Sequence, residues 1–301
     1  MITVNNFSYS FPHKDLFDKI SFILEDGQHC AFIGMSGSGK STLVDIIMNP
    51  EKYMYEGTLN IPQNCRIGYV NQFSKSDKTQ EITVFEYIAQ QSLALKGKLE
   101  VICDEMATAT ELDALLEKYQ ETLDAFETIG GEDYESIITR QLNLAELTRH
   151  KDLMLSELSG GEFKLIQVIK EMFAQPDLMI MDEPDAFLDF ENLNSLKNLI
   201  NAYKGTMLIV THNRYLLDHC FNKIIHLENK KLQEFDGSYL DYNFSLLAHK
   251  VELQELAHED TEEIKRNATL IKKLREAATN NAEASRGNAL KARRAPHCSS
   301  Y

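Results

Sequence analysis

Apolar and polar positions change period along the chain. Between residues 2 and 33, short apolar runs alternate with turn signals: Ile2 to Val4, then Ile20-Ser21-Phe22-Ile23-Leu24, then Cys30-Ala31-Phe32-Ile33, with Glu25-Asp26-Gly27 as a turn. This pattern predicts a strand-rich opening. Ser41 to Met48 has helical spacing and closes at Asn49-Pro50, while Leu59-Asn60-Ile61 and Arg66 to Val70 read as strands. From 83 to 158 the alternation gives way to Glu, Leu, Ala and Gln. Leu112, Leu115, Leu116, Tyr119, Leu123 and Phe126 there lie three and four residues apart, which predicts a helical insert. Two continuous apolar runs, Leu178 to Met181 and Met207 to Val210, flank a helical pattern from Phe190 to Ala202, as expected of βαβ packing with strands buried on both faces. After Tyr242, the residues Leu253, Leu256, Ile264, Ile271, Leu274 and Ala278 recur near whole helical turns. They predict a long amphipathic helix, broken at Thr279-Asn280-Asn281 and followed by a shorter helical stretch over 282–294.

The order of these segments predicts an α/β fold, and 301 residues that are 43% hydrophobic suffice for a sizeable core in one large domain or two ordinary ones. No apolar run approaches the roughly 20 residues of a bilayer span, so the expectation is no membrane insertion. The opening Met1-Ile2-Thr3-Val4-Asn5-Asn6-Phe7 lacks both a basic start and an apolar h-region, which points to a cytoplasmic protein. Five cysteines without CxxC pairs suit reduced thiols, mostly buried, rather than a disulfide framework or a zinc site. The net charge of −15 argues against indiscriminate nucleic-acid binding, but the charge is unevenly spread. Glu100 to His150 carries thirteen acidic side chains against three basic ones, whereas Lys265 to Arg294 carries nine basic against two acidic. The helical insert has an acidic outer face, and the tail is basic.

Three segments carry chemistry. Gly34-Met35-Ser36-Gly37-Ser38-Gly39-Lys40-Ser41 fits G-x-x-x-x-G-K-[ST] and lies between a strand and a helix. Glycines let N–H groups converge on phosphate oxygens, the helix start adds partial positive charge, Lys40 reaches the outer phosphates, Ser41 suits Mg²⁺, and Thr42 extends the cradle. Leu178 to Met181 ends in Asp182-Glu183-Pro184, two carboxylates at the C-terminal edge of a sheet, where ligands of open α/β sheets bind. Asp182 suits Mg²⁺ and Glu183 a general base, although Asp-Glu-Pro alone equally suits a helix N-terminal cap. Leu158-Ser159-Gly160-Gly161-Glu162 opens a further helix-spaced run and forms a second anion-receptive helix start.

The phosphate loop, Leu-Ser-Gly-Gly-Glu and Met-Asp-Glu-Pro, in this order, resemble an ATP-binding cassette ATPase. The resemblance implies an α/β P-loop cassette with a mixed sheet core, an antiparallel β subdomain and a helical subdomain at about 83–158. The cassette would span 1–242 and a basic helical extension 243–301. It also implies ATP and Mg²⁺ as cofactors, and a second cassette whose Ser159-Gly160-Gly161 turn closes over ATP held by the first. Gln72 matches the glutamine that reaches Mg²⁺ and water, Asp189 the aspartate between cassettes, and His212 the histidine that contacts the γ-phosphate. Phe11 is the candidate for stacking on adenine and equally suits a core position.

Within that family, Phe235-Asp236-Gly237-Ser238-Tyr239 with Tyr242, and the tail from Leu247 to Arg294, resemble the end of the first cassette and the linker of an ABC-F protein. The resemblance implies action on the ribosome and tRNA through the basic helices, in antibiotic resistance by ribosomal protection; the alternative is the ATPase subunit of a membrane transporter. Ser36 stands where ABC-F proteins usually carry Asn, and Asp185-Ala186-Phe187 where they carry Thr-Asn-His. The residues 295–301 do not continue a return helix, and the chain is expected to correspond to the first half of such a protein.

Overall fold

The computed structural model describes residues 1–71, 76–109, 112–252 and 254, together with 265–266, 269–270 and 272–273. The chain divides into two compact units, Met1–Tyr242 and Asn243–Tyr301. In the second unit the described residues are helical; all six predicted amphipathic positions, Leu253, Leu256, Ile264, Ile271, Leu274 and Ala278, and the whole 282–294 stretch lie outside them.

In the first unit the opening strands are longer than their apolar runs. β1 (Ile2–Phe11) and β2 (Lys14–Leu24) form a hairpin, and β4 (Glu56–Asn60) pairs antiparallel with β1 on its other side. Polar residues such as Asn5, Asp18 and Lys19 sit inside these strands because the outer face is exposed, and the antiparallel ladder tolerates that alternation. The second sheet has the order β5-β6-β7-β3-β8-β9. Its parallel strands are β5 (Ile67–Val70), β6 (Leu178–Asp182), β7 (Thr206–Val210), β3 (His29–Gly34) and β8 (Lys223–Glu228); β9 (Lys231–Asp236) returns antiparallel on β8. The expected mixed sheet and antiparallel subdomain are both present.

β6 and β7 are buried at every position, which explains their unbroken apolar runs. Their residues alternate between two cores. Ile180, Leu208, Val210 and Phe32 pack toward the three-stranded sheet and α1 (Lys40–Met48), whereas Met179, Met181, Ile209 and Ile33 face the helical side. That second core is closed by α2 (Val84–Thr108), α4 (Tyr134–Leu144), α5 (Gly160–Phe173), α6 (Phe190–Ala202) and α7 (Arg214–Cys220). α3 (Asp113–Thr128) departs from its sequence pattern: of the predicted apolar stripe only Phe126 is buried, and Leu112 and Leu116 remain exposed. It packs along α2 at the rim, so one turn suffices to anchor it. The thiols depart too: Cys30 and Cys220 are buried, but Cys65 is half-buried and Cys103 exposed. Among the described residues no helix is long and apolar enough to cross a membrane.

The two sheets are tied by a buried ion pair. Lys223, 5% exposed, reaches Glu234 at 2.7 Å and donates to the Ile23 carbonyl at 2.9 Å, so β8, β9 and β2 share one ammonium. Burial opposes the charge, but the hydrogen bond and charge of Glu234 outweigh it and hold the Lys223 pKa above its ordinary value of 10.5. Lys223→Met is expected to cost about 2–3 kcal/mol in denaturant unfolding, below the about 3–5 kcal/mol of a fully buried pair because Glu234 is partly solvated. Since the folded-state pKa is the raised one, this stabilisation is complete below pH 10.5 and fades only as pH rises through the raised value. The difference between variant and wild type should therefore stay constant from about pH 7 to about 9.

Candidate nucleotide-binding site

The loop 34–41 leaves the central strand β3 at the C-terminal edge of the parallel sheet and turns into α1. Two glycines make this path possible. Gly34, at φ 153°, lies so close to β8 that a Cβ would meet the Leu227 carbonyl oxygen at 2.5 Å. Gly39, at φ 111°, is packed on the Phe17 ring, 3.0 Å from where a Cβ would stand. The first turn of α1 has neither a side-chain cap nor an acidic residue, so its N–H groups are left for a ligand. Ser38 Oγ is buried without a hydrogen-bond partner among the described residues. Lys40, 6% exposed, donates to the Gly34 and Met35 carbonyls at 2.7 and 3.1 Å. Burial lowers its pKa, while the charges of Glu183 and Asp182 work against that shift. Uncapped amides, an orphaned hydroxyl and a desolvated ammonium fit the phosphates of a nucleotide.

The tip of the β1–β2 hairpin reaches the same loop, where Lys14 Nζ donates to the Gly37 carbonyl at 3.2 Å. Sequence patterning gave Lys14 no signal, because its partner is 23 residues away. Phe11 pairs with Lys14 across this tip and is 45% exposed, so it is not a core residue; its ring meets Tyr9 edge to face.

Asp182 and Glu183 close β6, two strands away from β3 with β7 between. Asp182 is 8% exposed. At Glu183 the backbone takes a left-handed φ of 49° while its N–H donates to the Val210 carbonyl at 2.9 Å, which turns the chain off the sheet edge. A residue with a side chain held there costs on the order of 1 kcal/mol, a cost typical of functional turns. His212 follows β7 and is exposed; with Ile33, Gly34, Met35 and Ser36 it lines a cleft of 530 Å³ whose far wall includes His226 and Tyr239. A larger cavity, of 750 Å³, lies at the opposite, N-terminal ends of β5, β6 and β7 and takes no part in this site. Ser41, at the exposed start of α1, and Asp182 offer oxygen ligands. Among the described residues no three His, Cys, Asp or Glu side chains gather into a metal site. Mg²⁺ takes one or two protein ligands beside phosphate oxygens and water, so Ser41 and Asp182 suit a Mg²⁺ that arrives with a nucleotide.

The remaining residues singled out from sequence stand apart. Ser159, Gly160 and Gly161 open α5, where Ser159 Oγ accepts from the Glu162 N–H at 3.2 Å and Glu162 Oε2 accepts from the Ser159 N–H at 2.7 Å. Unlike α1, this helix start is already capped by its own carboxylate. Among the described residues neither Ser159 nor Gly160 bonds to the loop 34–42. Asp189 caps α6 through the Asn192 N–H at 2.8 Å. Thr42 is half-buried on α1. Gln72 lies outside the described residues. Phe187, also at left-handed φ, is 87% exposed beside Asp189.

A twisted, mostly parallel sheet with a phosphate-receptive loop at its carboxyl edge and an acidic strand end beside it defines a P-loop nucleotide-binding protein. The profile of the family described as ABC transporter matches residues 17–186, and the chain belongs to that family of ATP-hydrolysing cassettes. Among curated proteins it is 28% identical to the Uncharacterized ABC transporter ATP-binding protein YfmM of Bacillus subtilis (strain 168), over 85% of this chain and 49% of that protein. It is also 28% identical to ABC transporter F family member 2 of Arabidopsis thaliana, over 90% of this chain and 34% of that protein. A third relative, the Energy-dependent translational throttle protein EttA of Haemophilus influenzae, is 28% identical over 76% of this chain and 41% of that protein. The chain thus spans half or less of the length of these relatives. A solved structure titled "Structure of ATP binding subunit of ABC transporter" superposes with a TM-score of 0.58 at 19% identity, over 84% of this chain and 99% of that one, and shares the fold.

Mg·ATP at a hundred times its Kd is expected to stabilise the folded chain by about 2.7 kcal/mol, read as a rise in Tm. Lys40→Met should abolish this rise while changing the nucleotide-free stability by about 1 kcal/mol or less, since only two carbonyl contacts are lost. A Lys40→Met chain that Mg·ATP stabilises like wild type would exclude Lys40 from phosphate binding.

Proposed function

We propose that the chain is a Mg²⁺-dependent, ATP-hydrolysing cassette of the ABC-F type that works on the ribosome in the cytoplasm, in antibiotic resistance by ribosomal protection. The observation that carries the nucleotide reading is the uncapped start of α1 beside a buried lysine and the Asp182–Glu183 strand end. The ABC-F reading is supported by relatives named for that family and for a translational throttle. The basic tail from Lys265 to Arg294 adds support, since it suits contact with RNA phosphate.

In this reading Lys40 and the amides of 35–41 hold the β- and γ-phosphates. Glu183 accepts the proton of the attacking water, and His212 and Gln72 orient the reacting groups. Ser41, Asp182 and Gln72 would hold Mg²⁺, which would supply positive charge against the phosphate oxygens. The cleft between residues 33–36 and His212 is open, so water competes at the reacting phosphate. A second cassette supplying Ser159, Gly160, Gly161 and Asp189 closes it. Phe11 offers its exposed ring to adenine.

Replacing Glu183 by Gln should keep the Mg·ATP-induced stabilisation and lower turnover by about 10²–10⁴-fold, the range for a general base; unchanged turnover would remove Glu183 from that role. Turnover per chain should be low when dilute and rise with chain concentration or with an added second cassette, and concentration-independent turnover would contradict the shared site. Co-sedimentation of the Glu183→Gln chain with ribosomes in Mg·ATP is the expected outcome for the ABC-F reading. Capture by a membrane subunit in its place would support the transporter alternative.

A further inference from the structure

The cleft beside the phosphate loop is bordered by a second imidazole that the nucleotide reading does not use. His226 lies opposite Ile33 in the β3–β8 ladder, and its half-buried side chain lines the same 530 Å³ cleft as Ser36 and His212. β7 and β8 stand on either side of β3, so His212, just past β7, and His226, near the end of β8, flank the origin of the loop from two sides. His226 Nδ1 is 2.6 Å from the Tyr242 hydroxyl, and the two rings meet edge to face with centroids 5.9 Å apart. Tyr242, 4% exposed, is itself packed against Phe235 and Tyr239, at centroid distances of 5.7 and 6.1 Å.

Hydrogen-bond accounting places the protons of this pair. Burial, with the charge of Glu228 adding to it, pushes the Tyr242 pKa up to about 12, so the phenol keeps its proton and needs an acceptor. Among the described residues the partner of that hydroxyl is His226 Nδ1. Burial also holds the His226 pKa below its ordinary value of 6.5, with Glu228 opposing and Lys40 assisting, so the ring is neutral near neutral pH. If Nδ1 were the donor, the Tyr242 proton would be buried without an acceptor. Nδ1 therefore accepts, and Nε2 carries the ring proton. Among the described residues nothing pairs with Nε2, and the atom is not sealed from solvent. A donor fixed by a buried tyrosine is thus left for whatever enters the cleft.

We propose that His226 is a nucleotide-contacting residue: its Nε2–H, aimed by the Tyr242 hydroxyl, donates to a γ-phosphate oxygen from the side of the cleft opposite His212. The proposal rests on the nucleotide reading, in which Lys40 and the loop amides hold the outer phosphates. A terminal phosphate held there stands at Ser36, where the cleft opens between the two imidazoles. ADP ends one phosphate short, so the contact favours ATP over ADP. Tyr242 is a positioning residue, since it touches the imidazole and not the nucleotide.

The test uses the full chain in the Glu183→Gln background, where ATP is bound without being consumed, and reads Kd for Mg·ATP and Mg·ADP by calorimetric titration. His226→Leu is expected to weaken Mg·ATP about tenfold, as for one hydrogen bond to a charged group, and to leave Mg·ADP within about twofold. Tyr242→Phe should weaken Mg·ATP about twofold or more with Mg·ADP unchanged, and nitrogen NMR of the His226 ring should move from the single Nε2–H form toward a mixture of tautomers. No loss of ATP affinity in His226→Leu, or equal losses for ATP and ADP, would overturn the contact. An Nδ1–H ring in the parent chain, or a Tyr242→Phe chain with unaltered spectrum and affinity, would overturn the aiming by Tyr242. If His226→Leu does not fold, two amides decide: His226→Gln places a donor near Nε2 and should keep Mg·ATP within about threefold, whereas His226→Asn places one near Nδ1 and should lose about tenfold. Equal ATP affinities in those two variants would overturn the proposal. A Glu183→Gln chain that binds neither nucleotide sinks the nucleotide reading and this contact with it, while the ring spectrum still decides the tautomer.

Discussion

Everything at the carboxyl edge of the large sheet depends on a helix whose first turn is left unsatisfied. The N–H groups at the start of α1 have no side-chain cap, and the nearest cation, Lys40, is folded back onto the carbonyls of Gly34 and Met35. Both are arrangements that water or a capping side chain would relieve in an ordinary helix. The loop is kept from relaxing by close packing: Gly34 lies against the Leu227 carbonyl and Gly39 against the Phe17 ring, so the backbone has no room to bring in a side chain of its own. Free N–H groups and the Lys40 ammonium make this loop receptive to an anion, as suits the ATP-hydrolysing family to which the chain belongs.

The contrast with the other helix starts is instructive. α5 and α6 are capped by Ser159 with Glu162 and by Asp189, and in each the capping side chain accepts one first-turn amide, that of Glu162 and that of Asn192. A phosphate arriving at α5 would meet the Glu162 carboxylate, which burial pushes up in pKa but which the Ser159 N–H and hydroxyl and the neighbouring His150 pull below its ordinary value, keeping it charged. The Ser159 helix start is therefore a weaker anion site by itself than the start of α1, which suits a surface that completes a site held elsewhere.

Electrostatics and strand order divide the labour. β6 and β3 are separated by β7, so the carboxylates of Asp182 and Glu183 act on Lys40 through space without a direct bond.

Much of this was legible in the chain. The strands β6 and β7, the helix α6 and the phosphate loop were each marked by local period or spacing, because burial on both faces demands continuous apolar runs and phosphate cradling demands glycine at fixed steps. The stripe on α3 misled, since periodicity records which face is apolar and not whether anything covers it; Leu112 and Leu116 lie exposed at the rim. The contact of Lys14 with Gly37, the exposure of Phe11 and the placement of Lys164 on Asn71, 93 residues earlier, had no local signature. The amino-acid order by itself determined which segments are strands or helices and which loop receives phosphate, because those follow from neighbours a few residues apart. Only the tertiary structure decided which helix starts stay uncapped and which buried charges face each other, because those depend on register between segments far apart in the chain.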